Sequence, residues 1–366
     1  MPYVVSDYIH EPLFVLCPIY NPIRYKARWR LYERFAKHVK DSGGVLVTIE
    51  ASFRDRHHAL DEGETQHETP IHQTAPEKPT EFHRSRTDHP HMYIKVRCDS
   101  EFFLKENLLQ LAMNRLPPEA RYIAWVDGDV AFTRPNWVGE TVHQLQHWDW
   151  VQMWSDAVDV GPLYMPIATH KSFMWCLHHN LPLPSGSLAW DQYYQPAPAR
   201  QPGAPNLWHP GYAWAARREA LDAVGGLIQF AVLGAGDNHM ARALVGKVEE
   251  SFHPNVHPRY QELLREWQTR ALRHIDHRVG YVSGLLIHYW HGAKVRRNYW
   301  QRWRILVEQQ FNPDTDIQQN TQGVLELVDA GDERRRILRQ RLMRYLRARH
   351  EDSIALQGVE QNEWTL

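Results

Sequence analysis

Tyr122-Ile-Ala-Trp-Val-Asp-Gly-Asp129 is the stretch that decides the fold of this chain and the place of its chemistry. Its first five residues are apolar without a break and read as a strand. The last three put two carboxylates one residue apart on a tight turn at the strand's end. In open α/β sheets, ligands bind in the crevice beyond the carboxyl ends of the strands. Two carboxylates pointing into that crevice cannot be buried cheaply as a bare pair of like charges. A divalent cation removes that penalty. Mn²⁺ and Mg²⁺ take oxygen ligands and bridge a carboxylate to a diphosphate. Such an ion stabilises the charge that builds on a departing nucleoside diphosphate.

The flanks supply the rest of such a sheet. Residues 13–19 are an apolar run ending in Pro18-Ile19-Tyr20-Asn21-Pro22, a buried strand followed by a loop. Residues 24–39 have helical spacing, with Trp29, Leu31, Tyr32, Phe35 and Val39 on the apolar face. Residues 45–49 are a second strand, ending at Glu50. This strand–helix–strand opening points to a parallel α/β sheet. Residues 101–116 read as a helix stopped by Pro117-Pro118. Beyond the Asp-Gly-Asp turn, the pattern predicts helices over 137–147, 217–224 and 237–245, and strands over 150–154 and 281–288. No internal repeat is present.

Two segments stand apart. Residues 54–99 are polar, proline-bearing and rich in histidine, and read as a solvated insert or lid, since the histidine spacing matches no metal motif. The tail contains Arg334-Arg-Arg-Ile-Leu-Arg-Gln-Arg-Leu-Met-Arg-Tyr-Leu-Arg-Ala-Arg349, an amphipathic helix with eight arginines. It is either a basic face docked on the domain or a phosphate-binding face for nucleic acid. The expected organisation is one α/β domain over 1–300 and a helical C-terminal extension over 301–366.

Composition narrows the partners. A net charge of −1 provides no global field for nucleic acid or membrane. Cys17, Cys98 and Cys176 are far apart and odd in number, which suits a reducing compartment. The N-terminal stretch lacks the basic leader of a signal peptide, and no run approaches the roughly 20 apolar residues of a membrane span. The expectation is a soluble, cytoplasmic protein.

Taken in order, these motifs resemble those of GT-A-fold, metal-dependent glycosyltransferases, with a look closest to phage and bacterial members. The likeness spans roughly residues 13 to 300. It implies a Rossmann-like, mostly parallel central sheet flanked by helices, and a nucleotide-sugar donor, a UDP-sugar first of all. It places the donor on Pro18, Tyr20, Asn21, Arg24, Glu50, Asn107, Asp127, Gly128 and Arg296. It places Mn²⁺ or Mg²⁺ on Asp127 and Asp129, with His288 or His291 completing the shell. Asp237, after Gly234-Ala235-Gly236, is the expected general base, with helix capping as the plain alternative. His209, Gly211 and Trp214 resemble an acceptor wall. Where the family often has an acidic pair, this chain has Gly236 before Asp237.

The acceptor is open between a saccharide and a hydroxymethylated phage DNA base, the latter in a phage-infected bacterial cell. Two other classes share these features. A nucleotidyltransferase or metal phosphohydrolase would release a different product. A carbohydrate- or nucleic-acid-binding module would bind without turnover.

Overall fold

The computed structural model describes residues 11–61, 81–83, 91–184, 204–328 and 331–355. The first half alternates strands and helices: β1 (Leu13–Tyr20), α1 (Lys26–Asp41), β2 (Val45–Phe53), β3 (Glu81–His83), β4 (His91–Cys98), α2 (Lys105–Met113), β5 (Tyr122–Val126), β6 (Val130–Phe132), α3 (Trp137–His147) and β7 (Trp150–Gln152). The middle holds β8 (Asp156–Val160), β9 (Pro166–Ser172), α4 (Phe173–His178), β10 (Asn206–His209), β11 (Ala213–Arg217), α5 (Arg218–Val224) and α6 (Gly236–Ala243). Then come α7 (Pro258–His274), β12 (Val279–Tyr281), β13 (Leu285–His288), α8 (Trp303–Glu308), α9 (Pro313–Asp316), β14 (Ile317–Gln319), β15 (Leu325–Leu327) and α10 (Glu333–Arg347).

The fold class is mixed α/β, with an eight-stranded sheet in the order β12-β7-β11-β5-β1-β2-β4-β3 flanked by helices. Its centre, β5-β1-β2-β4, is parallel, as expected. Antiparallel strands enter only toward the sides, at β11 and β3. All five residues of β5 are buried, which is what an uninterrupted apolar strand in a covered sheet requires. Two hydrophobic cores fill its two faces. Trp125, Trp150 and the α2 leucines lie on one side, and Phe35, Trp137 and Trp154 on the other.

A second sheet, β10-β9-β8-β13-β6, was not foreseen. It takes over where three strands of the first sheet end. Residues 127–129 carry the chain from β5 to β6, residues 153–155 from β7 to β8, and residues 282–284 from β12 to β13. The strand expected over 281–288 is therefore two strands in two sheets. The Asp-Gly-Asp turn is one of these crossings.

The segment 54–99 is less of an insert than its composition suggests. Its last residues form β4, paired with β2 along eight positions, and Met92, Ile94, Val96 and Cys98 alternate into the core. Residues 62–80 and 84–90, with His67, His72 and His89, lie outside the described residues. The helix α7 was also missed. Pro258 starts it, and Tyr260, Leu264, Trp267 and Ala271 form a buried stripe between arginines and glutamates.

The C-terminal extension is not purely helical. The hairpin β14–β15 sits between its helices and is clamped by Asn107. That amide accepts from Leu325 N at 3.0 Å and donates to the Gly323 carbonyl at 3.2 Å and to Gln229 Oε1 at 2.9 Å. Asn107 thus holds the fold and does not line the cavity described below. Asn107→Ala strands these buried groups and is expected to cost about 1–3 kcal/mol. The check is a lower urea midpoint at unchanged m-value.

Candidate active site

The crossings between the two sheets bring side chains together that lie far apart in sequence. Tyr289 N donates to the Asp129 carbonyl at 2.8 Å, and β13 runs antiparallel to β6 with His288 opposite Val130. This pairing sets Asp129, His288 and His291 face to face at the floor of a cavity of about 800 Å³. All three are buried. One ligand atom from each lies within 4.8 Å of the others, and this is the only such cluster of three among the described residues.

The protons of the two imidazoles follow from their partners. His288 Nδ1 lies 2.8 Å from Asp159 Oδ1. Asp159 is held well below the usual carboxylate range; burial alone would raise it, but Lys294 and His170 outweigh that. An ionised carboxylate only accepts, so Nδ1 carries a hydrogen, and Nε2 is the atom that could offer a lone pair to a cation. Arg297 Nη2 donates to His291 Nε2 at 2.8 Å. A guanidinium only donates, so that nitrogen also presents its lone pair. Burial, followed by Arg297, keeps His291 below its ordinary pKa, which favours the neutral ring.

Lone pairs therefore converge. The two Nε2 atoms are 3.3 Å apart, and His291 Nε2 is 2.9 Å from Asp129 Oδ2. Asp129 Oδ1 is buried with no hydrogen-bond partner, and His288 Nε2 is 3.8 Å away. Leaving a buried carboxylate oxygen unpaired costs several kcal/mol by order of magnitude. A cation among these three donors would satisfy them all, so the residues present fit a divalent metal.

Behind the three lies a buried polar network. Asp159 accepts from Tyr212 Oη at 2.7 Å, His170 Nε2 at 2.7 Å, His288 Nδ1 and Lys294. Above it, His209 stacks on Tyr212 at 4.2 Å and Tyr212 on His288 at 4.8 Å between ring centroids. These contacts fix the His288 ring, as carboxylates commonly do for metal-binding histidines. Asp159, His170 and Lys294 were not singled out in the sequence. Nothing in their spacing marks them, because the second sheet alone assembles them.

Along the cavity wall, cations meet a second group of acids. Lys105 Nζ lies 2.5 Å from Asp127 Oδ1, so Asp127 faces a lysine rather than the Asp129 cluster. Arg28, Arg297 and Arg302 also line the cavity. Asp237 is the second residue of α6, not its cap, and accepts from Asn238 N at 2.9 Å. Burial raises its carboxyl above the ordinary value. Two glycines make room for these acids. A Cβ on Gly211 would lie 2.7 Å from Asp237 Oδ2, and one on Gly236 would lie 2.5 Å from Glu106 Oε1. Glu106 thus fills the space that a side chain at 236 would take.

Of the expected site residues, Pro18, Tyr20, Asn21, Asp127, Gly128, Asp129, His209, Gly211, Asp237, His288 and His291 line one cavity. Arg24, Glu50, Asn107, Arg296 and Trp214 do not. Glu50 is buried in β2, which continues to Phe53, and accepts from Ala59 N at 2.7 Å, Leu60 N at 3.3 Å and the Tyr93 hydroxyl. It anchors the chain after β2 and does not line the cavity. Trp214 is core, its indole donating to the Pro210 carbonyl at 2.7 Å. Arg296 gives way to its neighbour Arg297.

No protein-family model matches the chain, and no curated protein matches it. The fold is similar to that of solved structures of sugar transferases. One is the catalytic domain of Drosophila beta-1,4-galactosyltransferase 7 with xylobiose, at 10% identity and TM-score 0.34, covering 87% of this chain and 92% of that one. A mutant of the same enzyme, in complex with manganese, UDP-Gal and xylobiose, matches at 10% identity and TM-score 0.34 over 86% and 92%. A third is TarS of S. aureus with UDP-GlcNAc, at 10% identity and TM-score 0.36, covering 77% of this chain and 60% of that one.

Burial raises Glu106 from 4.5 to about 7, with Lys105 opposing and Asp237 adding to the rise. Between those values the folded chain keeps a proton that the unfolded chain has released. The folded pKa is the raised one, so this group's contribution to stability falls as pH rises through that window. From pH 5 to pH 8 the wild type should lose about 2 kcal/mol more than Glu106→Gln. Urea unfolding of both at the two pH values measures it; parallel losses would contradict the assignment.

Proposed function

We propose that the protein is a metal-dependent glycosyltransferase that moves a sugar from a nucleoside diphosphate sugar, a UDP-sugar first of all, to an acceptor hydroxyl. The observation that carries the reading is Asp129 Oδ1, buried without a partner beside two imidazole lone pairs, on the floor of a cavity with cationic walls. Asp129, His288 and His291 would hold the ion. Two nitrogen donors favour Mn²⁺ over Mg²⁺, which prefers an all-oxygen shell. When bound, the ion neutralises charge on the leaving diphosphate.

The chain's own residues then have separable roles. Pro18, Tyr20 and Asn21, at the end of β1, border the nucleoside. Lys105, itself paired with Asp127, and Arg297 face the diphosphate and offset its charge. Asp237 takes the proton of the acceptor hydroxyl as its oxygen attacks the anomeric carbon and the bond to the diphosphate breaks. Its raised proton affinity suits it to that transfer. His209 and Gly211 shape the acceptor side, with Gly211 leaving room for Asp237.

A saccharide acceptor is favoured over a DNA base. The physical support for DNA is the arginine-rich tail helix, and five of the seven arginines in α10 pair with acids of this chain. Arg334 and Arg335 hold Asp316, Arg336 holds Glu333, Arg341 holds Glu308, and Arg347 holds Glu101. No helix among the described residues is long and apolar enough to cross a membrane.

The test is incubation with UDP-, GDP-, TDP- and CMP-sugars, with Mn²⁺ or EDTA, followed by assay of the released nucleotide. One donor should be hydrolysed slowly to its nucleotide. Activity should disappear with EDTA and fall by at least about 100-fold in Asp129→Ala. Release of inorganic phosphate or sugar phosphate instead would indicate the phosphohydrolase or nucleotidyltransferase reading.

A further inference from the structure

Beyond the tail helix α10, the chain turns back and passes behind His291. Asp352 caps α1, accepting from Lys26 N at 2.9 Å and Ala27 N at 2.7 Å. The Trp290 indole donates to the Ser353 carbonyl at 2.7 Å. Gly292 lies so close beneath that a Cβ there would be 3.0 Å from the His350 carbonyl oxygen. These contacts press one side chain inward. Glu351, although a carboxylate, is only 3% exposed.

Two arginines hold it there. Arg28 Nη2 donates to Glu351 Oε1 at 2.8 Å, with a second bond from Nε to Oε2, and Arg349 Nε lies 2.7 Å from Oε1. Glu351 Oε2 is 3.8 Å from His291 Nδ1, a buried nitrogen with no hydrogen-bond partner. Because His291 Nε2 accepts from Arg297, its hydrogen is on Nδ1, the atom turned toward Glu351. His288 has the same arrangement, with Asp159 at its Nδ1. Each imidazole thus stands between a carboxylate behind it and the shared cluster in front.

We propose that Glu351 is a positioning residue for the metal site: it orients His291 and raises its basicity as Asp159 does for His288, so that the C-terminal strap completes the site. The inference rests on the reading of Asp129, His288 and His291 as metal ligands. With an ion on His291 Nε2, the Nδ1 hydrogen would be directed toward Glu351 Oε2, 3.8 Å away. An opposite reading, in which Glu351 takes the place of the substrate's diphosphate, does not fit the geometry, since Glu351 lies on the far side of the imidazole from the cluster.

Titration with Mn²⁺ alone, followed by calorimetry, tests this on the full chain. Glu351→Gln should weaken Mn²⁺ binding about 10- to 100-fold, and the visible bands of bound Co²⁺ should shift, reporting an altered ligand field. Glu101→Gln, which loosens the strap at Arg347, should leave affinity within about twofold and the bands in place. Circular dichroism establishes that the variants are folded. If Gln prevents folding, Glu351→Asp keeps the charge for both arginines but withdraws it from His291, and a fall in affinity is again expected. Wild-type affinity and unchanged Co²⁺ bands in a folded Glu351 variant would overturn the role of Glu351 alone. Absence of Mn²⁺ binding in the wild type would overturn the metal reading and this inference with it.

Discussion

One carboxylate oxygen, Asp129 Oδ1, is buried with nothing to bond to, and the surrounding structure is arranged about that constraint. Water would satisfy it cheaply, but the chain crossing between two sheets and the strap behind His291 keep the residue 7% exposed. An ionised group is tolerated there because positive charge surrounds it. His291, His288 and Arg28 together outweigh burial and hold Asp129 well below its ordinary value. His288 and His291 both turn Nε2 toward Asp129, so a cation there would meet a carboxylate and two ring nitrogens.

The two-sheet architecture is what makes such a site affordable to a chain of ordinary composition. A single parallel sheet offers strand ends on one line. Here three strands pass from one sheet to the next, and the passage folds the ends of β5 and β13 against each other. The polar residues that cannot face water are then gathered on one buried acid, Asp159, which four donors satisfy. The same passage separates two acidic regions within one cavity. Asp129 lies among imidazoles, whereas Asp127, Asp237 and Glu106 lie around Lys105. The first suits a cation, and the second, with the carboxyls of Asp237 and Glu106 raised by burial, suits proton transfer.

Much of the first sheet was legible because its signals are local. The run Tyr122–Val126 is apolar at every position, and the strand, helix and strand of residues 13–53 each carry their own periodicity. The strand β4 has the alternation of Met92, Ile94, Val96 and Cys98, but it follows a histidine-rich stretch whose polarity hid it. Glu50 was read as the end of a strand and hence as ligand-facing. The strand runs three residues further, which puts the acid against the backbone of residues 59 and 60. Asn107 and Trp214 were misplaced for a related reason. Their partners, the C-terminal hairpin and Pro210, are set by tertiary packing rather than by neighbours on the same element. Asp129, His288 and His291 could be found because each stands at a strand end or just beyond. Asp159, Lys294 and Glu351 could not, because only the second sheet and the returning tail bring them near.

Diffraction from crystals grown with MnCl₂ and UDP, recorded where manganese scatters anomalously, tests the central claim most directly. The account predicts one strong anomalous peak bounded by the Asp129 carboxylate and the Nε2 atoms of His288 and His291, with the diphosphate of UDP on its open side. Manganese bound elsewhere, or UDP seated in the cavity with no ion at that cluster, would contradict it.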